Sequence, residues 1–116
     1  YIMHELSLAY SILEIVESER ERRGGKRITT IELEVGKLAG IDCNSLCFCI
    51  RTLLSHTASP DAEIDIAADI PQARCRKCGS KFVPETWFDS CPACGSHDRE
   101  IDHGTEFRIR AIRIEK

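Results

Sequence analysis

The chain has 116 residues, of which 42% are hydrophobic and 30% charged, and its net charge is −3. That length suits one compact domain, or a small domain with a metal-stapled appendage. The mildly acidic balance speaks against a general nucleic-acid binder, which carries a basic surplus over the domain or along one face. No apolar run is long enough to span a bilayer, and no basic-then-apolar segment opens the chain, so no membrane association is expected. The seven cysteines are an odd number, which leaves a disulfide scaffold with an unpaired thiol. Four of them stand in two tight pairs, the pattern of metal ligation in a reducing compartment, so a cytoplasmic location is expected.

The first residue is Tyr1, with Met3 two positions on, so Tyr1-Ile2 reads as the remnant of an upstream extension. From Glu5 to Arg23, Leu6, Ala9, Ile12, Leu13 and Val16 recur at helical spacing. Glu14, Glu17, Glu19 and Arg20 lie largely on the other side, which predicts an amphipathic helix stopped by Gly24-Gly25.

Over Ile28 to Gly36 the period falls to two: Ile31, Leu33 and Val35 alternate with Thr30, Glu32 and Glu34, a strand with one buried face. A second helix is expected from about Asn44 to His56, carrying Leu46, Ile50, Leu53 and Leu54, with Asp42 or Asn44 as its N-cap. Ser59-Pro60-Asp61 ends it. A second strand alternates Ile64, Ile66, Ala68 and Ile70 with acidic residues, and a last strand runs from about Glu106 to Glu115. Within that last strand the apolar parity switches at Ala111-Ile112, which suggests a bulge or a change of face.

Residues 74–103 show little periodicity and hold four of the cysteines. They read as an insertion. The expected fold is therefore α+β: a small three-stranded sheet with two helices, built from residues 1–73 and 104–116, plus an inserted four-cysteine zinc-ribbon-like module at 74–103.

Cys75-Arg-Lys-Cys78-Gly79 and Cys91-Pro-Ala-Cys94-Gly95 are matching knuckles separated by twelve residues. In such a turn both thiolates point inward, backbone N–H groups can donate to sulfur, and the glycine closes the loop. Four thiolates favour structural Zn²⁺, although a rubredoxin-like iron site has the same spacing. Arg74, Arg76, Lys77, Lys81 and Arg99 are matched in the insert by Glu85, Asp89, Asp98, Glu100 and Asp102, which weakens a nucleic-acid role. Trp87 and Phe88 are expected to form the insert's own small core. Cys47 and Cys49 are expected to act as small buried hydrophobes in the second helix, and Cys43 matches no metal pattern.

Taken together, Met3-His4-Glu5-Leu6-Ser7, Ile31-Glu-Leu-Glu-Val-Gly36, the two knuckles and Arg110-Ala-Ile-Arg-Ile-Glu115 make the chain similar to the HypA family of hydrogenase nickel-incorporation proteins. The resemblance runs from Met3 to the C-terminus. It implies a non-catalytic nickel metallochaperone with Zn(II) as a structural ion on Cys75, Cys78, Cys91 and Cys94, and Ni(II) as transferable cargo at Met3, His4 and Glu5. There His4 would give an imidazole nitrogen and the neighbouring backbone nitrogens would complete a planar field, which suits Ni²⁺. In the family the methionine opens the chain; with Ile2 attached, its nitrogen is an amide rather than an amine of pKa about 8, and weaker nickel binding is expected. His97 is a second candidate nickel ligand, with weaker claims for His103 and His56. The resemblance further implies a nickel-handling GTPase as partner and the large subunit of [NiFe]-hydrogenase, or in some members urease, as acceptor. A homodimer formed by swapping the insert is compatible with its two-strand attachment. The competing classes are a zinc-ribbon adaptor or nucleic-acid module, and a small iron redox protein.

Overall fold

The computed structural model describes the backbone of residues 2–116 and the side chains of residues 5–116. The Met3 and His4 side chains of the expected nickel site lie outside the described residues. In chain order the elements are α1 (Ile2–Arg23), β1 (Arg27–Gly36), a 3-10 turn (Lys37–Ala39), α2 (Cys43–Leu54), β2 (Glu63–Asp69), β3 (Gln72–Cys75), β4 (Lys81–Phe82), β5 (Arg99–His103) and β6 (Phe107–Glu115). They form two three-stranded sheets, ordered β2-β1-β6 and β4-β3-β5. The two helices and the first sheet are those the periodicity predicts. The second sheet is not, because strands as short as the two residues of β4 leave no alternation to read. No helix among the described residues is long and apolar enough to cross a membrane.

The chain divides into two compact units, one of residues up to Glu34, Ile41–Ala67 and Arg108–Lys116, the other of Val35–Gly40 and Ala68–Phe107. In the first, α1 buries Ala9, Ile12, Leu13 and Val16, and α2 buries Leu46, Ile50 and Leu54 at successive turns. Ile28, Ile31 and Leu33 of β1 complete this core. Full burial of such a side chain is worth roughly 1.5–3 kcal/mol. The stripe on α1 begins at Glu5, only 4% exposed, while Leu6 is half-buried. Asp42 is the N-cap of α2: its Oδ1 accepts from the backbone N–H of Asn44 and Ser45 at 3.0 and 3.1 Å.

Strands β1 and β6 run antiparallel. The Lys26 N–H donates to the Glu115 carbonyl at 2.8 Å, Thr29 Oγ1 to the Arg113 carbonyl at 3.2 Å, and Arg108 pairs with Glu34 at 3.1 Å. Phe107, Ile109 and Ala111 of β6 are half-buried, and so are Ile112 and Ile114, so the parity switches where the sequence predicts it. The Ser59 hydroxyl, 1% exposed, accepts from the Ile28 N–H at 2.7 Å and so satisfies a backbone donor at the start of β1. Cys47 and Cys49 are half-buried rather than buried, and Cys43 is exposed. Part of the thiol environment on this helix is therefore solvent, and the expectation of small core residues is corrected to that extent.

In the second unit β3 is the central strand. It pairs antiparallel with β4 (Ala73 opposite Phe82) and with β5 (Cys75 opposite Arg99). The expected core of Trp87 and Phe88 is not formed: Phe88 is 83% and Trp87 48% exposed. Instead Asp89 ties the loop that displays them, accepting from the Glu85 N–H at 2.7 Å and from Thr86 Oγ1 at 2.6 Å. The Trp87 indole N–H donates to the Leu38 carbonyl at 2.7 Å. Val35, Leu38, Pro71 and Ala73 are buried apolar residues of this unit, beside Cys75 and Cys91.

Candidate metal centre

The first knuckle leaves the end of β3. Cys75 closes a loop by receiving the Gly79 N–H on its carbonyl at 2.9 Å, while its own N–H donates to the Ser80 carbonyl at 2.9 Å. The second knuckle repeats the pattern: the Gly95 N–H reaches the Cys91 carbonyl at 2.7 Å, and the Cys91 N–H reaches the Ser96 carbonyl at 2.8 Å. Gly79 and Gly95 have φ of 80° and 77°, the left-handed region in which a Cβ is costly. The serine after each glycine is thus part of the knuckle through its carbonyl. The repeated Cys-x-x-Cys-Gly-Ser motif carries that signal in the sequence, although the Cys-x-x-Cys-Gly part alone is enough to predict the metal.

The two loops bring four sulfurs together. Sγ atoms of Cys75 and Cys94, and of Cys78 and Cys91, are 3.6 Å apart, and all four lie within 4.8 Å of one another. Tetrahedral coordination with metal–sulfur bonds of about 2.3 Å demands sulfur separations of about 3.8 Å, so the four fit around one ion. Cys75 and Cys91 are buried and Cys78 and Cys94 exposed.

The surroundings supply hydrogen bonds to thiolate. The Cys78 N–H points at Cys75 Sγ at 3.4 Å and is the main influence holding that thiol below its ordinary range. The hydroxyl of Ser80, 3.3 Å from Cys78 Sγ, and then the Ser80 N–H bring Cys78 down to about 6. Cys94 has the Ser96 N–H as its largest single influence, which lowers it. Burial and the three neighbouring thiols outweigh that donor and push Cys94 up to about 11. This is the usual outcome when like groups share a site: not all ionise together without a cation.

Around the knuckles, Arg76 pairs with Asp98 at 3.0 Å and Glu100 at 3.5 Å, and Arg74 with Glu100 at 3.3 Å. Arg74 and Arg76 are therefore compensated by neighbouring carboxylates. The four cysteines are the one group of three or more potential ligands brought together among the described residues. His97 is exposed on the loop after the second knuckle and its carbonyl accepts from Arg99 at 2.9 Å. His103 Nδ1 lies 3.1 Å from Asp69 Oδ1, and His56 is exposed. Glu5, the described member of the expected nickel site, is buried on the core-facing stripe of α1. Desolvation and the Asp42 carboxylate raise the Cys43 thiol, which keeps it protonated and a poor metal ligand.

A closed four-thiol cage has every coordination position filled by protein. The chain is thus a small α+β protein with a four-cysteine cluster arranged to hold one metal ion. Comparison with known proteins sharpens this. Residues 3–114 match the family model described as HypA, hydrogenase/urease nickel incorporation, metallochaperone. A hydrogenase maturation factor HypA from Chlorobaculum tepidum is 37% identical, with 97% of this chain and 100% of that protein covered. The factor of the same name from Chlorobium limicola is 39% identical, with 98% of each covered. Among solved structures, the Ni metallochaperone HypA from Helicobacter pylori superposes with a TM-score of 0.66 at 20% identity, covering 96% of this chain and 97% of that one. The chain belongs to the HypA family. It is accordingly a maturation factor of the nickel-incorporating kind, not an enzyme.

Proposed function

We propose that this chain carries Ni²⁺ as cargo on Met3, His4 and Glu5, holds Zn²⁺ permanently on Cys75, Cys78, Cys91 and Cys94, and delivers the nickel during maturation of a [NiFe]-hydrogenase. The observation that carries the proposal is the match to a nickel-incorporation family over residues 3–114, which includes the Met-His-Glu segment as well as both knuckles. The chemistry divides accordingly. Thiolates at these separations satisfy a d¹⁰ ion that needs no open position, whereas an imidazole with backbone nitrogens suits a planar Ni²⁺ that must later leave.

Within that scheme the knuckles shape the second unit. Their N–H and hydroxyl donors hold sulfur as thiolate, and the buried pair Cys75 and Cys91 excludes water from one side of the cage. Residues of α1 do the transfer work: His4 supplies the exchangeable nitrogen, and the buried Glu5 fixes the first turn of α1 by its place in the core stripe. His97 is assigned a secondary role as an alternative nickel ligand. The cytoplasm is the compartment, a nickel-handling GTPase the delivering partner, and the large subunit of the hydrogenase the acceptor; urease is a second acceptor of the same kind.

The test is metal analysis with competitive nickel titration of the wild type, His4→Ala and Cys91→Ser. The wild type is expected to hold one tightly bound zinc and one weaker nickel per chain. His4→Ala keeps the zinc and loses the nickel, while Cys91→Ser loses the zinc. Unchanged nickel uptake in His4→Ala overturns the proposed cargo site.

A further inference from the structure

In the first unit α1 and α2 leave a cleft of about 360 Å³, lined by Tyr10, Leu13, Glu14, Glu17, Leu53 and Thr57. Leu13 and Leu53 give it an apolar floor. Tyr10 stands at its wall 58% exposed. No cation lines it.

The acidic side of the cleft is built at helical spacing. Tyr10, Glu14, Glu17 and Glu21 follow one another at intervals of four, three and four residues along α1, so they form one stripe beside the cleft. Arg20 compensates part of it, 2.8 Å from Glu17 Oε2 and 3.9 Å from Glu21 Oε1. Glu14 is exposed and Glu21 74% exposed. Glu17 Oε1 is screened from solvent and has no hydrogen-bond donor, although a buried polar atom normally has one.

We propose that this cleft is a docking site for an amphipathic helix of a partner protein, with an apolar anchor followed by Lys or Arg at intervals of three or four residues. The anchor packs on Leu13 and Leu53 against the Tyr10 ring. The cations lie along the exposed carboxylates of Glu14 and Glu21 and beside Glu17. An apolar anchor in the groove with charges at its rim is the usual distribution of binding energy in such sites. Charge complementarity sets the choice of occupant: two carboxylates and no cation line the cleft, and the acidic stripe extends past it, so a basic helix is recognised and an acidic one repelled.

The zinc-loaded full chain is titrated into two fluorescein-labelled helical peptides that share a leucine face, one flanked by Lys at i, i+4 and its twin carrying Glu at those positions. Fluorescence anisotropy gives affinity, and amide shifts of the ¹⁵N-labelled chain give location. The expected result is one-to-one binding of the Lys peptide only, with shifts confined to α1, α2 and the turn that carries Thr57. Glu14→Lys and Tyr10→Ala, both at exposed positions, each weaken it at least tenfold, while Phe88→Ala leaves it unchanged. Equal binding of both peptides, no binding, shifts outside α1, α2 and the Thr57 turn, or indifference to Glu14→Lys overturns the proposal. So does a dimer in sedimentation that Glu14→Lys dissolves, which would make a second copy the occupant.

Discussion

Ser59 gives the sharpest test of how the first unit is held. Its hydroxyl accepts from the Ile28 N–H at 2.7 Å, and both residues are only 1% exposed. In Ser59→Ala the donor of Ile28 stays buried without a partner, a loss of about 1–3 kcal/mol. Burying a methyl group in place of the hydroxyl offsets well under half of that. Thr57→Val is the control. Thr57 Oγ1 accepts from the Ser59 N–H at 3.0 Å and donates to the Leu54 carbonyl at 2.7 Å, but it is half-buried, so water replaces much of what is lost and about 0.5–1 kcal/mol is expected. Both α-helices belong to the first unit, so urea unfolding followed by far-UV circular dichroism at the helical band reads that unit. With a slope of about 1.5 kcal/mol/M, a cost of about 2 kcal/mol lowers the midpoint by about 1.3 M. Thr57→Val lowers it by less than half as much. A Ser59→Ala midpoint within about 0.3 M of wild type, at unchanged slope, would show that the Ile28 donor is satisfied some other way and would refute the reasoning.

Other outcomes follow from the same geometry. Asp42→Ala removes both acceptor contacts at the start of α2 and should cost about 1 kcal/mol in the same unfolding assay, with Asp42→Asn nearly neutral. In metal-stripped protein at pH 7, Cys78, with its thiol at about 6, should be alkylated by iodoacetamide well before Cys94 at about 11, as read by peptide mass mapping. The Cys78 rate should fall as the pH drops through about 6, because a depressed thiol stays ionised above that value and protonates below it. Phe88→Ala, at a side chain 83% exposed, should move the stability of the second unit by less than about 0.5 kcal/mol; a loss above 1 kcal/mol would restore the aromatic core that the sequence suggested. A chain beginning at Met3 should bind nickel more tightly than one in which residues precede it, as measured by competitive titration; equal affinities would remove the terminal amine from the ligand set.

The elements legible in the sequence are those long enough to show a period. The α1 stripe, the β1 alternation and the parity switch in β6 lie in elements of nine or more residues and show directly, while the sequence narrows the α2 cap to Asp42 or Asn44. The sheet of the second unit does not show, because its pairing is set by the knuckle closures and by cross-strand ion pairs such as Arg74 with Glu100, neither of which leaves a hydrophobic pattern. The four cysteines announced themselves by spacing. The burial of Glu5 is not legible there, since a carboxyl group on a core-facing stripe contradicts the periodicity rule that finds the other members. Trp87 and Phe88 were misplaced for a related reason: aromatic type predicts burial on average, whereas the Asp89-centred turn fixes their direction locally.

The uneven enclosure of the four sulfurs has a chemical consequence. Cys75 and Cys91 are sealed in, while Cys78 and Cys94 face the solvent. A peroxide, an alkylating drug or a competing chelator therefore meets the cluster on one flank. Each reaches Cys78 and Cys94 first, one thiolate from each knuckle, and damage there takes one anchor from both loops while Cys75 and Cys91 stay shielded.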